Sequence, residues 1–444
     1  MIKEKNIHFV GIGGIGVSAL AHILKEKGKI VSGSDSTNSE ILDSLKRSGI
    51  PVYIGHDGAN ITEKHQLVVY SPAIPEDNPE LKRARKLKIK LLSYPKALGE
   101  LSQEYFTIAI SGTHGKSTTT AMISRIAEEA GLDPTIVIGT KMREFKNRNF
   151  RIGKSKYLIV EACEYKESFL SLHPQILVIT NIESDHLDYF KNFGNYKRAF
   201  EKMVERVPSD GYLVINGKDI YCRAVSQKCK GKILSAGTSK DDDYLMENRI
   251  LVTPKGKLTI NPKVYGRFNI ENGALAAIVG QILDIPNKKI EQSLSGFTGT
   301  WRRLELKKKK LGKVKFIDDY AHHPTEIQTT LAAIRETFPR EKILCIFQPH
   351  QYNRTIHFLK EFGASFNDVN QVIVPNIYEV RDTASDVEKI STDTLVKEIK
   401  KHNKNVFNGD GFRNTVKYMK ENHPNFDVIV TMGAGDINKL YKMF

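Results

Sequence analysis

Cysteine is scarce in this chain: four residues in 444, Cys163, Cys222, Cys229 and Cys345. That excludes a disulfide scaffold; none forms C-x-x-C, and Cys222 with Cys229 lacks zinc-ligand spacing. A reducing cytoplasm fits such usage. Internal repeats and low-complexity linkers are missing as well. Ile7–Leu24 has no Asp, Glu, Lys or Arg and follows Lys3 and Lys5, so it mimics a signal peptide, with Ala19-Leu20-Ala21 as a mock cleavage site. A spanning helix needs about 20 predominantly apolar residues. This stretch holds four glycines and two histidines, so it reads as a folded strand and helix of a soluble protein. Acidic residues are outnumbered, 51 against 67 basic, for a net charge of +16. Such an excess admits nucleic acid, an anionic membrane surface, anionic small molecules or a lysine-rich background. The basic run KRARKLKIK within Leu81–Lys90 has no interleaved aromatics, and its apolar positions suit one buried side. It reads as a helix with a solvated face, not as a nucleic-acid site.

What is present is ordinary globular material, 40% hydrophobic and 27% charged. At roughly 150 residues per domain the length suggests about three domains. Ile7–Val10 reads as a strand, Val17–Lys25 as a helix and Ile30-Val31 as the next strand, with Gly11-Ile-Gly13-Gly14-Ile-Gly16 between the first two. Glycines there allow a tight turn and close backbone approach to a diphosphate, while the helix N-terminus supplies N–H donors. Asp35 follows Gly16 by 19 residues, where a ribose-binding acid is expected. From the residues alone, this pattern reads as NAD binding.

A second loop follows the strand Phe106–Ile110: Ser111-Gly112-Thr113-His114-Gly115-Lys116-Ser117-Thr118-Thr119-Thr120, with a helix from about Ala121 to Ala130. Its backbone suits phosphates, Lys116 suits β- and γ-phosphate oxygens, and the Ser117 hydroxyl suits Mg²⁺. Ile110 stands where the strict P-loop pattern wants its first glycine. ATP or GTP is the expected ligand. Tyr157–Val160 leads into Glu161, and Ile176–Thr180 into Asn181-Ile-Glu183-Ser-Asp185-His186. Ligands bind at the carboxyl ends of parallel strands, so Glu161, Asp185 and His186 are expected near the nucleotide.

Taken together, SGTHGKSTTT (111–120), EACEY (161–165), TNIESDHLDYF (180–190), GRFNIENGALAA (266–277), GTWRRLE (299–305), DDYAHHPTEI (318–327), FQPHQYNRT (347–355) and MGAGDI (432–437) resemble the Mur ligase family, the ATP-dependent amide ligases of peptidoglycan precursor synthesis. GIGGIGVSALA and SPAIPEDNPEL (71–81) fit the same family. The resemblance implies an α/β fold in three domains. These are a Rossmann-like N-terminal domain (1–104) for UDP-N-acetylmuramate, a central P-loop ATPase-like domain (105–298) for ATP and Mg²⁺, and a C-terminal Rossmann-like domain (299–444) that closes over ATP and binds the amino acid. It replaces NAD with a UDP-sugar and keeps the diphosphate at a helix N-terminus.

DDYAHHPTE, FQPH and MGAGDI fit the branch that joins L-alanine to the lactyl carboxylate of UDP-N-acetylmuramate through an acyl phosphate. A ligase recycling a preformed peptide, or a non-catalytic nucleotide-sugar-binding regulator, is the alternative. By the resemblance, Gly11, Gly13, Gly14, Gly16, Asp35, His56 and Ser71 bind the UDP-sugar. Gly112 through Thr118, Asn269, Asn272, Arg303 and Asp319 bind ATP, and Ser117, Glu161 and His186 hold the metal. Lys116, His186, His323 and Arg354 are the expected catalytic residues, with the proton acceptor open between His186, His323 and a carboxylate. Ser117 replaces the usual Thr, Phe268 a common His and Gln351 a frequent Arg, while Phe200 stands where other members carry a carbamylated lysine. Read singly, Arg302 and Arg303 would be surface charges beside Trp301, and His322-His323 a helix start before Pro324. The run Lys307–Lys310 has no counterpart and reads as a solvated hairpin or strand edge. A cytoplasmic monomer or homodimer without nucleic-acid or membrane partners is expected.

Overall fold

Short apolar runs alternate with helical stretches along the chain, and they assemble into largely parallel sheets. The computed structural model describes residues 2–142, 144, 145, 147–307, 313–380 and 382–443, so Lys308–Lys310 of the lysine run lie outside the described residues. The first sheet contains β1 (Asn6–Val10), β2 (Ile30–Asp35), β3 (Val52–Ile54), β4 (Leu67–Tyr70) and β5 (Lys90–Ser93), in the order β3-β2-β1-β4-β5 with every pair parallel. Parallel strands need crossovers, here supplied by helices such as Ile15–Glu26 and Pro79–Lys86. The order reverses at β1, so the crevice beyond its carboxyl end is the natural ligand position.

The second sheet contains β6 (Phe106–Ser111), β7 (Thr135–Met142), β8 (Arg148–Arg151), β9 (Tyr157–Glu161), β10 (Ile176–Ile179), β11 (Tyr212–Asn216), β12 (Lys232–Gly237), β13 (Tyr244–Glu247), β14 (Ile250–Thr253) and β15 (Gly256–Thr259). Its order is β15-β14-β13-β12-β11-β10-β6-β9-β7-β8. The pairs from β12 to β7 are parallel; β8 and the β13-β14-β15 meander add antiparallel edges. Because β6 lies between β9 and β10, residues leaving these three strands share one edge.

The third sheet contains β16 (Glu305–Leu306), β17 (Lys315–Asp319), β18 (Ile343–Phe347), β19 (Gln371–Val374), β20 (Val406–Asn408) and β21 (Val428–Met432), ordered β16-β17-β21-β18-β19-β20 and parallel except at β16. The chain divides into two compact units, Met1–Asn261 with Glu271–Phe297, and Pro262–Ile270 with Thr298–Phe444. The first unit holds two sheets because one buried cluster runs from Ile7 and Phe9 through Ala97 and Leu101 to Leu158 and Leu177.

Two expectations need correction. The basic stretch Leu81–Lys90 is not one helix: the helix is Pro79–Lys86, Lys88 turns the chain at φ 56°, and Lys90 opens β5. The Ile89 N–H bonds back to the Ala84 carbonyl, which closes the helix before the strand. The phosphate-loop helix starts at Lys116, not near Ala121, and runs to Glu129. Threonines lower helix propensity, but here Thr118, Thr119 and Thr120 are buried against the sheet, and packing decides. Among the described residues no helix is long and apolar enough to cross a membrane. The early apolar run divides instead between β1 and the helix Ile15–Glu26.

Candidate active site

The phosphate loop joins β6 to the helix Lys116–Glu129 through residues 112–115. Gly115 caps that helix in the left-handed region at φ 81°, and a Cβ there would meet Asn272 Oδ1 at 2.7 Å. Glycine is therefore required, and expected ATP residue Asn272 stands beside the loop. No side chain caps the helix, so its first N–H groups are available to an anion. The loop is tied to the strand end after β10: Thr113 N–H and His114 N–H donate to Asn181, and Thr180 and Asn181 donate to the His114 carbonyl. Thr113 Oγ1 also bonds the Glu183 backbone and the Tyr196 hydroxyl, and His114 Nε2 lies 3.1 Å from Glu183 Oε2.

Lys116 Nζ donates to the Gly112 and Thr113 carbonyls at 2.6 and 2.9 Å and to Glu164 Oε1 at 3.0 Å. Burial opposes the ammonium charge, but the nearby Glu164 carboxylate, with Glu161 adding to it, raises the lysine above its ordinary value. Glu164 is 1% exposed, and its Oε2 has no hydrogen-bond partner among the described residues. His186 Nε2 lies 3.7 Å from Glu164 Oε1 and from Asp185 Oδ2, its backbone in the left-handed region at φ 53°. Ser117 Oγ donates to Glu161 Oε1 at 3.0 Å, and Gly139 N–H to Glu161 Oε2 at 2.8 Å. Thr118 is buried in the same first turn of the helix.

The other glycine loop follows β1. Gly13 N–H donates to Asp35 Oδ2 at 2.8 Å, and Ser36 N–H to Asp35 Oδ1. Asp35 thus pins the loop at the end of β2. Gly14 caps the helix Ile15–Glu26 without a side-chain bond. A Cβ on Gly16 would lie 2.6 Å from Tyr94 Cζ, so this glycine lets a partly buried aromatic cross the helix start. A Cβ on Gly11 would lie 3.0 Å from Ser71 Cβ, which places Ser71 against the loop. His56 reaches Glu80 Oε2 with Nδ1 at 2.9 Å.

In the second unit Asp319 is buried and receives Leu304 N–H at 2.6 Å and Ala321 N–H at 2.8 Å. Burial pushes its carboxyl up to about 6, against the lowering effect of Arg303 and the two amides. Arg302 and Arg303 lie on the Tyr320 ring, each 5.1 Å from its centroid. Arg302 is 2% exposed, which corrects the surface reading: Asp318 pairs with its Nε, and its other nitrogens donate to the Gly433 and Gly435 carbonyls. Asp318, buried beneath it, is raised by desolvation despite that arginine. His323 caps the helix Pro324–Thr337 and lies edge-on to Phe358 at 4.7 Å. Arg354 is buried 3.5 Å from His350 Nδ1, and Asn269 donates to the Tyr265 carbonyl.

Family models match along the chain: "Mur ligase family, catalytic domain" over residues 6–106, "Mur ligase middle domain" over 110–280, and "Mur ligase, glutamate ligase domain" over 302–435. The UDP-N-acetylmuramate–L-alanine ligase of Clostridium acetobutylicum is 42% identical, covering 99% of this chain and 97% of its own. The chain belongs to the Mur ligase family. The ligase of the same name from Clostridium tetani is 40% identical over 99% of this chain and 98% of its own. The crystal structure of the Thermotoga maritima UDP-N-acetylmuramate–alanine ligase is similar at TM-score 0.81 and 27% identity, covering 99% of this chain and 98% of that one.

In this Mur ligase chain the structure gathers the expected phosphate-loop residues with Glu161, Asn272 and His186, and gathers Asp35, Ser71 and the first glycine loop at β1. Phe200 is buried among Phe169 and Tyr196, an apolar core position. The Ser117 hydroxyl and Glu161 carboxylate are hard oxygen donors beside the loop, a set that fits Mg²⁺. Sequence reasoning passed over Glu164, although it lay in the quoted EACEY. The available signal was an acid three residues after Glu161 in a loop leaving a buried strand.

Proposed function

We propose that this enzyme joins L-alanine to the lactyl carboxylate of UDP-N-acetylmuramate with consumption of ATP. What carries the reading is the convergence of Lys116, Ser117, Glu161 and Glu164 beside β6 and β9, in a chain alignable end to end with relatives of that name. We assign residues 1–104 to the UDP-sugar, 105–298 to ATP and 299–444 to ligation. The diphosphate of the UDP-sugar sits on the first amides of the helix Ile15–Glu26, including that of Gly16, and the triphosphate of ATP on those of Gly115 to Thr118. Lys116 moves from the loop carbonyls and Glu164 onto the β- and γ-phosphates.

The lactyl carboxylate attacks the γ-phosphorus and ADP leaves. The resulting acyl phosphate converts a poor leaving group into a good one. The alanine amine, having lost a proton, attacks the carbonyl and phosphate departs, leaving the amide. Arg303 and Arg354 offset charge on the phosphates and carboxylates, Asp319 serves the nucleotide, and His186, His323 or a carboxylate accepts the amine proton. Ser117, Glu161 and His186 would hold Mg²⁺, which would supply charge neutralisation at the phosphates. Asn269 and Asn272 flank the adenine. The setting is the cytoplasm.

The test is phosphate release from ATP with UDP-N-acetylmuramate and each acceptor. Release with L-alanine is the expected result. Release only with a preformed peptide replaces this reading with the recycling ligase, and no release with any acceptor replaces it with the non-catalytic regulator.

A further inference from the structure

The reaction just described makes no use of one fully buried carboxylate, Glu80. It stands at the start of the helix Pro79–Lys86, where Asn78 Oδ1 accepts its N–H and that of Leu81. Four segments of the N-terminal sheet domain meet at this side chain. Ser34 Oγ donates to Glu80 Oε2 at 2.6 Å, Asn60 Nδ2 donates to Oε1 at 2.8 Å, and His56 Nδ1 lies 2.9 Å from Oε2. His8 Nε2 lies 3.5 Å from Oε1. The strand period of two puts Ser32 and Ser34 on one face of β2, and the register sets His8 opposite Ser32. An unpartnered carboxylate does not survive such burial, and this one is fully supplied with donors. Its partners hold it below the ordinary carboxylate value although burial alone would raise it.

Those donors decide the state of His56. An ionised carboxylate can only accept, and Ser34 already spends its proton on Oε2, so Nδ1 of His56 carries the hydrogen. In the neutral ring Nε2 is then a bare lone pair. That atom makes no hydrogen bond among the described residues, and the His56 side chain is 18% exposed while Glu80 and His8 are 0% exposed. The ring thus brings the buried cluster to the surface just beyond β3, next to Asp35, whose carbonyl accepts the Gly55 N–H.

We propose that Glu80 is a positioning residue that fixes His56 as a hydrogen-bond acceptor, matching the imide N–H of uracil and rejecting cytosine. This rests on the assignment of the N-terminal domain to a UDP-sugar. Uracil offers a donor at N3 between two carbonyls. Cytosine offers a lone pair at the same place, which would face the lone pair of Nε2. Glu80→Gln reverses the arrangement: the amide NH₂ can donate to Nδ1, and the ring proton moves to Nε2.

The experiment measures UDP and CDP binding to the full chain by calorimetry, with ATP binding as the control for folding. In the wild type UDP binds and CDP binds at least about tenfold more weakly. In Glu80→Gln, UDP binding weakens by about tenfold and the CDP-to-UDP ratio narrows, while ATP binding is unchanged. In a His56→Ala background the Glu80→Gln change has little further effect on UDP. Nitrogen-detected NMR of the histidines shows the Nδ1–H tautomer of His56 in the wild type and the Nε2–H tautomer in Glu80→Gln. An unchanged UDP/CDP ratio and tautomer in a folded Glu80→Gln protein overturns this inference alone. So does an undiminished effect in the His56→Ala background. A wild-type chain that binds ATP but not UDP overturns the assignment of the domain, and this inference with it.

Discussion

Two glycine loops in the first unit follow the same plan, a parallel strand, a turn and a helix whose N-terminus no side chain caps. They differ in what stands around the turn. The loop after β1 is pinned by one carboxylate, Asp35, which takes the Gly13 N–H, and by the Tyr94 ring against Gly16. The loop after β6 has an ammonium on its own backbone, a buried carboxylate on that ammonium, and a hydroxyl paired with a second carboxylate. Backbone amides and a helix dipole are enough to hold a diphosphate. Breaking a phosphate bond also needs charge that moves with the reacting group and oxygens that take a cation. The shared plan explains why the first loop reads as dinucleotide binding. The differing side chains give the second loop the groups that phosphoryl transfer needs.

The largest effect tests that division directly. Lys116→Ala should lower kcat by a thousandfold or more, as loss of a charged transition-state contact does, and leave UDP binding at the first loop intact. Full turnover in this variant, measured as ADP release, would remove the phosphate role from the second loop.

A milder contrast concerns how charge is met. Lys116 is buried against an opposite charge, whereas Asp319 is buried against two backbone amides, with Arg303 as the main opposing influence. Its carboxyl rises from 3.8 to about 6, which corresponds to about 3 kcal/mol. The folded protein therefore holds a proton that the unfolded chain has already lost above pH 4. Stability from this group is full below about pH 4 and falls as pH rises to about 6, the reverse of an ion-paired carboxylate. Urea unfolding from pH 4 to 7 should show the wild type losing about 3 kcal/mol relative to Asp319→Asn across that range. A constant difference between the two proteins would place the native carboxyl at its ordinary value.

Third in size is the metal. Glu161→Gln keeps an oxygen for Ser117 and the shape of the site but removes the charge. It should raise the Mg²⁺ concentration needed for half-maximal rate by roughly tenfold or more, with the UDP-sugar KM unaltered. An unchanged Mg²⁺ requirement would move the cation elsewhere.

The residues explain how far sequence could go. Strand, glycine loop and helix occur in register along the chain, so both loops and the strand-end acid Glu161 could be read from spacing. Three-dimensional pairing could not. Glu164 acts through a lysine 48 positions away, Glu80 through residues up to 72 positions away, and neither neighbour is encoded by local period. Read singly, Arg302 is a surface charge, because its partners are distant in sequence: Asp318 on β17 and the carbonyls of Gly433 and Gly435 just past β21. The helix expected over Leu81–Lys90 failed for the opposite reason. Its basic composition concealed a turn at Lys88 and an edge strand that pairs with β4 and packs Leu91 and Leu92 against buried residues.

The smallest effect sharpens the first loop. Gly16→Ala improves intrinsic helix propensity by about 1 kcal/mol, yet the new methyl would sit 2.6 Å from Tyr94 Cζ on a ring packed against the core. Overpacking of this kind costs about 1–3 kcal/mol, so the balance tips toward destabilisation. The strain falls on the helix start that faces the diphosphate, and the UDP-sugar KM should rise several-fold while the ATP KM stays fixed. Tyr94→Leu in the same chain opens space for the methyl and should restore much of the lost affinity. A Gly16→Ala protein with wild-type melting and wild-type KM would show that the ring yields. Closeness of the helix to Tyr94 would then have no part in shaping the first loop.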